Sequence, residues 1–313
     1  MRILELATTA ARVAIAPELG GAITHFAVDG KPVLHPTSAA ALDARDVRRA
    51  ACYPLVPYSN RIRNAELEFA GRCHELARNF GSHPHAIHGV GWQRAWTVAE
   101  ASLSHARLTL HHDALGENAR AWPWAFEATQ TFHLADVEAD EHARAASLVV
   151  TLTLKNASAT PFPFGLGFHP FFPKTATTCL RFDAERVWEN DATQLPRTLV
   201  DVPSQWRFSR GRALDAIVLD NVFTGWGRSA MLVDDARGTR VRIDADRALA
   251  YVVVYAPAGA DFAAIEPVTH ETDAFNRSAA GAEGTGMRVL PPGAAFSCTM
   301  RLKAPAAASH PVR

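Results

Sequence analysis

Apolar and polar residues alternate one for one along several stretches of this chain, and a period of two admits little besides a half-buried β-strand. In LVVTLTLK, Leu148, Val150, Leu152 and Leu154 share one face while Thr151, Thr153 and Lys155 share the other. FEATQTFHL (Phe126 to Leu134), RVRIDA (Arg240 to Ala245) and FSCTMRLK (Phe296 to Lys303) repeat the pattern. Strands with one dry and one wet face belong to antiparallel sheets. AMLVDDARGTRVRID adds a hairpin whose turn falls at Asp234 to Gly238. YVVVYAP (Tyr251 to Pro257) is apolar on both faces and is expected deeper in the molecule. Helical signals are few; AAALDARDVRRAA (Ala39 to Ala51) supports one short helix. DVEADEHARAA (Asp136 to Ala146) reads as a solvated hairpin loop, and the closing APAAASHPVR as a frayed tail. No Ser/Gly linker or break in composition divides the chain. The fold class expected is all-β, one large antiparallel β-sandwich domain over residues 1–313.

Bulk properties remove several function classes. Lys+Arg and Asp+Glu both number 32, so the formal net charge is zero and a nucleic-acid or anionic-membrane partner lacks its basic footprint. No segment approaches the ~18 apolar residues of a membrane span. MRILELATTA carries Glu5 inside its apolar stretch and has no signal-peptide core, so a soluble, cytoplasmic protein is expected. Cys52, Cys73, Cys179 and Cys298 lie far apart with no CxxC, which indicates neither a zinc ribbon nor a disulfide framework. GxSxG, P-loop and GxGxxG patterns are all missing, and with them the usual signals of serine hydrolases and nucleotide enzymes.

Ionisable side chains stand out where they interrupt apolar or turn-rich surroundings. FPFGLGFHPFFP, from Phe162 to Pro173, holds one such group, His169, among turns set by prolines and glycines. A core histidine bonded to a carbonyl is the plain reading; a proton donor in a dry pocket is the functional one. FAAIEPVTHETDAFN sets Glu266 at the end of an apolar strand, directly before Pro267, where a carboxylate is poorly explained by packing. YPLVPYSNRIRNAELEFAG carries Arg61 and Arg63, and VLDNVF carries Asp220. His83, His85 and His88 in HPHAIHGVGWQRAW could supply zinc ligands, yet Pro84 separates the first two and no nearby acid could orient them. HHD at His111 to Asp113 reads as surface. Trp92, Trp96, Trp122 and Trp124 could stack on sugar faces, although core packing explains each alone.

Six segments in one register resemble the aldose 1-epimerase (galactose mutarotase) family over most of the chain. They are SNRI at Ser59 to Ile62, HG at His88–Gly89 followed by a Trp, GLGFHPFF, LDNVF, IEP and the closing LPPGAAFS. The resemblance implies a large antiparallel supersandwich, no cofactor, and a small-molecule sugar as the partner of a monomer or homodimer. His169 matches the family's general acid and Glu266 its general base. Arg61 and His88 match sugar-contacting residues, and Asp220 matches an aspartate that binds a sugar hydroxyl. HGV and FHPFFP stand where galactose mutarotases carry a second glycine and an Asn-His-Ser-Tyr-Phe stretch, which is similar to a bacterial subgroup of epimerase-like proteins.

The residue types suit the implied reaction. Anomer interconversion removes a proton from the C1 hydroxyl and delivers one to the ring oxygen, and a carboxylate with an imidazole can do both. Two other readings stay open on the sequence: a sugar-binding or sensor module on the same fold, and a hexose-6-phosphate epimerase. The latter has no basic cluster beyond Arg61 and Arg63. A metal-dependent sugar enzyme comes third.

Overall fold

The computed structural model describes residues 1–140, 143–215 and 217–306. Two large antiparallel sheets carry the architecture, one of eleven strands and one of nine among the described residues. Strands Phe126–Asp140, Ala143–Asn156 and Ala295–Pro305 lie side by side in the nine-stranded sheet. Leu148, Val150, Leu152 and Leu154 are all buried there, as the alternation requires. On the opposite face Thr151 and Thr299 share a hydrogen bond of 2.9 Å, and Thr153 and Ser297 one of 2.8 Å. These cross-strand hydroxyl pairs are the wet face's counterpart of the apolar pairs beneath.

One hydrophobic cluster takes residues from both sheets, including Leu152 and Met300 from the smaller and Phe26, Val252 and Ile265 from the larger. Leu152→Ala should lower unfolding free energy by about 2–5 kcal/mol, because the vacated volume closes only in part. The check is a fall in the urea midpoint with an unchanged denaturant slope; Thr153→Ala, which loses only the outer-face bond to Ser297, should cost about 0.2–1 kcal/mol.

The central strands of the larger sheet are buried on both faces. Strand Tyr251–Ala256 sends Val252 and Val254 into the inter-sheet cluster and Tyr251 and Val253 into a second cluster with Tyr53, Trp92 and Phe171. That two-sided burial is why YVVVYAP shows no alternation.

Three expectations need correction. Gly167–Pro173 is a strand at the centre of the larger sheet rather than a turn-rich wall. Pro170 is tolerated there because its missing N–H falls where the ladder to Phe262–Val268 is interrupted. Asp136 to Ala146 is not a loop: pairing runs from Asp136–Ala146 through Glu138–Arg144, and Ala145 and Ala146 are buried. Residues 141–142 lie outside the described residues, as does the 307–313 part of the expected frayed tail. His112 is buried rather than at the surface. Its Nε2 lies 2.9 Å from the Trp122 carbonyl and its ring stacks on Phe126. The 39–51 segment gives a helix at Ala39–Asp43 and a short 3-10 turn at Val47–Arg49. All four tryptophans singled out above are core residues.

Candidate active site

Residues opposite one another in an antiparallel pair project to the same side of the sheet, so register locates the site. His169 opposes Tyr53, Glu266 opposes Val253, and Asp220 opposes Tyr255. Tyr53 and Val253 belong to the cluster on the outer face, so His169 and Glu266 emerge on that face as well. Pairing of Gly167 with Val268 and of Phe171 with Ala264 sets His169 across from Glu266 on neighbouring strands. Arg61 and His88 reach the same place from the connections between Leu55 and Thr97, where strands Arg61–Ile62 and Ala86–Ile87 pair. All five residues line one cleft of about 730 Å³.

Within it, His169 Nε2 lies 3.2 Å from Glu266 Oε1, with both side chains almost wholly buried. Burial disfavours charge on either group. It pushes the Glu266 carboxyl well above the usual carboxylate range, with Asp220 adding to the rise and Arg61 opposing it. Burial likewise pushes the His169 imidazole down to about 3, against a weaker opposing pull from its own backbone. The two directions together leave a pair that is neutral overall and holds one dissociable proton. Tyr53 and Phe171 flank the imidazole at ring-centroid distances of 4.6 and 4.5 Å and fix its plane.

Arg61 is oriented from two sides. Its Nη2 donates to Asp220 Oδ2 at 2.8 Å and its Nη1 to Asn60 Oδ1 at 3.0 Å. Asn60 also donates its backbone N–H to His88 Nδ1 at 3.0 Å. An Nδ1 that accepts places the proton of a neutral ring on Nε2. Burial, then the neighbouring His169 and Arg61, holds His88 well below the ordinary imidazole range, so the ring is that neutral donor. It sits edge-on to His169 at 5.2 Å. Three buried polar atoms of this group lack a hydrogen-bond partner among the described residues: Glu266 Oε2, His169 Nδ1 and Arg61 Nε.

Other candidates fall elsewhere. Arg63 turns away to Asp273, with its amide and its guanidinium both on that carboxylate, and its side chain is half exposed. His85 Nδ1 accepts from the Asn64 amide at 2.9 Å, so its lone pair is taken as that of His88 is. No group of three or more metal-ligating side chains converges among the described residues. Asn60, Tyr53 and Tyr255 were not singled out from the sequence. Asn60 lies inside SNRI and could have been flagged as a small amide beside the arginine it orients. The two tyrosines carry no local signal, because their place in the cleft comes from register.

The match to the family model described as aldose 1-epimerase runs over residues 2–303. The chain is 28% identical over 294 residues to uncharacterized protein YphB of Escherichia coli (strain K12), covering 91% of this chain and 92% of that protein. A crystal structure of a "putative aldose 1-epimerase" from Escherichia coli K12 superposes with TM-score 0.84 at 25% identity, over 97% of this chain and 98% of the other. A galactose mutarotase-like protein from Clostridium acetobutylicum shares the fold at TM-score 0.81 and 18% identity, over 95% of this chain and 93% of its own. With a family match that runs nearly end to end, and a fold shared over the same extent, this chain belongs to the aldose 1-epimerase family.

Proposed function

We propose that the chain interconverts the α and β anomers of a free aldose by acid–base ring opening and closure. The observation that carries this reading is the 3.2 Å contact of His169 Nε2 with Glu266 Oε1 on the wall of a cleft large enough for a sugar. A binding site alone has no use for two buried titratable groups that share a proton.

The proton inventory balances. Once the pair's proton passes from Glu266 to His169 across their 3.2 Å contact, the Glu266 carboxylate accepts the proton of the C1 hydroxyl and C1–O1 becomes a carbonyl. The C1–O5 bond breaks with its electron pair going to O5, which takes the proton from His169 Nε2. The pair then holds its proton on Glu266 and is neutral, the form that burial favours. Rotation about C1–C2 presents the other carbonyl face. On reclosure Glu266 returns a proton to O1, and His169 recovers one from O5. Arg61 and the His88 Nε2–H supply donors to the negative charge that develops on sugar oxygens, while Asp220 anchors Arg61 and accepts from a hydroxyl. Polarimetry on freshly dissolved α-D-glucose and α-D-galactose, against buffer alone, tests the proposal. Saturable acceleration of either sugar supports it, and binding without acceleration would leave a sugar-binding module.

The rate should follow a broad bell with pH. Activity needs one proton on the pair, so it is lost at low pH when a second proton enters and at high pH when the last one leaves. His169 is pushed to about 3, so the acid limb lies far below neutrality, and the rise of Glu266 carries the alkaline limb well above the usual carboxylate range. A narrow optimum with both limbs close to neutrality would contradict the shared-proton account.

Arg61→Ala should lower kcat/KM by roughly 10- to 100-fold, the effect of losing a charged donor. Arg63→Ala should change it little, since that side chain serves Asp273 outside the cleft. Steady-state rates on the two variants check this, and swapped effects would place the wrong arginine in the site.

A further inference from the structure

Beyond the two-residue ladder of Arg61–Ile62 with Ala86–Ile87, the backbone of the Ser59–Asn64 segment that delivers Arg61 is held by three imidazoles. Ser59 N–H donates to His270 Nε2 at 3.1 Å, Asn60 N–H to His88 Nδ1 at 3.0 Å, and Asn64 N–H to His85 Nδ1 at 2.9 Å. Of the three, His88 lines the cleft, whereas His85 and His270 are buried away from it and have no role in the mechanism. The Nδ1 of His270 lies 2.7 Å from the Glu271 carbonyl, which can only accept. The two neighbours therefore dictate a single tautomer, with the proton on Nδ1 and the lone pair of Nε2 turned to Ser59.

Its place in the chain matters as much as its bonds. His270 lies four residues after Glu266, two past the end of strand Phe262–Val268. Its ring also lies against Gly165, just before the strand that carries His169. A methyl at Gly165 would collide with the imidazole Cδ2, so only glycine fits. One side chain thus touches the three segments that supply Arg61, Glu266 and His169.

We propose that His270 is a positioning residue for Arg61, a neutral imidazole that fixes the Ser59–Arg61 segment to the end of the Glu266 strand. The role in catalysis rests on the anomer-exchange reading above; the placement of the segment does not. His270→Phe keeps the ring against Gly165 and removes both hydrogen bonds. Loss of one buried hydrogen bond should raise Ser59 amide exchange by roughly ten-fold or more, with the central strand Ala143–Asn156 unchanged. It should lower kcat/KM by about ten-fold, much less so when Arg61 is already alanine, because the two act through one contact. His270→Gln, whose amide oxygen can accept from Ser59, should recover most of the loss.

Unchanged Ser59 exchange in His270→Phe, or fold-losses that multiply with Arg61→Ala, would overturn the proposal. If His270→Phe does not fold, ¹⁵N chemical shifts of the wild-type imidazole decide instead. The proton on Nδ1 with Nε2 accepting supports the assignment, and the opposite tautomer or an imidazolium at neutral pH refutes it. Exchange and tautomer need no sugar, so failure of the anomerase reading would show separately, as wild-type protein no faster than buffer.

Discussion

Glu266→Gln is expected to lower kcat by roughly 10²-fold or more with a much smaller change in KM, the size of effect general-base assistance supplies. Glutamine keeps the shape of the carboxyl and can still bond a sugar hydroxyl, but it cannot take a proton from it. The substitution also separates chemistry from stability. Burial favours the neutral form of Glu266, and an amide is nearly isosteric with that form. The thermal midpoint should therefore stay at or above that of the wild type while turnover collapses. Mutarotation is spontaneous in water, so each rate is taken after subtraction of the buffer background. A variant that loses activity and midpoint together would point to a structural carboxylate.

His169→Asn is expected to cost a similar roughly 10²-fold in kcat, since the ring oxygen then loses its proton donor. The informative measurement is the double variant. If the two groups share one proton across 3.2 Å, removing either disables the same ring-opening event. The double variant should then be far less than multiplicatively worse, as residues acting as a unit are non-additive. Full multiplication of the two losses would mean that each serves a separate step. Either single variant also removes a limb of the pH profile. Without Glu266 the remaining imidazole titrates as a lone buried base, and without His169 the carboxyl titrates alone.

How far the sequence carried depends on where each signal resides. Alternation at Leu148 to Lys155 identified a half-wet sheet because burial there truly alternates. The same logic was silent for strand Gly167–Pro173, which is buried on both faces and contains two prolines. A central strand of that composition reads locally as turns. The five candidate residues were picked out because they sit in short motifs whose order matches a family, and one cleft brings all five together. Their mutual geometry was not legible. His169 meets Glu266, and Arg61 meets Asp220, only through long-range register, which no local window records. Supporting residues were the least visible. Asn60 acts through its side-chain oxygen on Arg61 and its backbone amide on His88, and His270 through a tautomer set by its neighbours.

The central claim is that one buried pair moves one proton between the two oxygens of a hemiacetal. Magnetisation exchange between the α and β C1 protons of an equilibrated aldose reads that event without any net reaction. The account predicts cross-peaks that grow in proportion to the concentration of wild-type protein and return to the buffer rate with Glu266→Gln. Sugar resonances that broaden on binding while the exchange rate stays at the buffer value would contradict it.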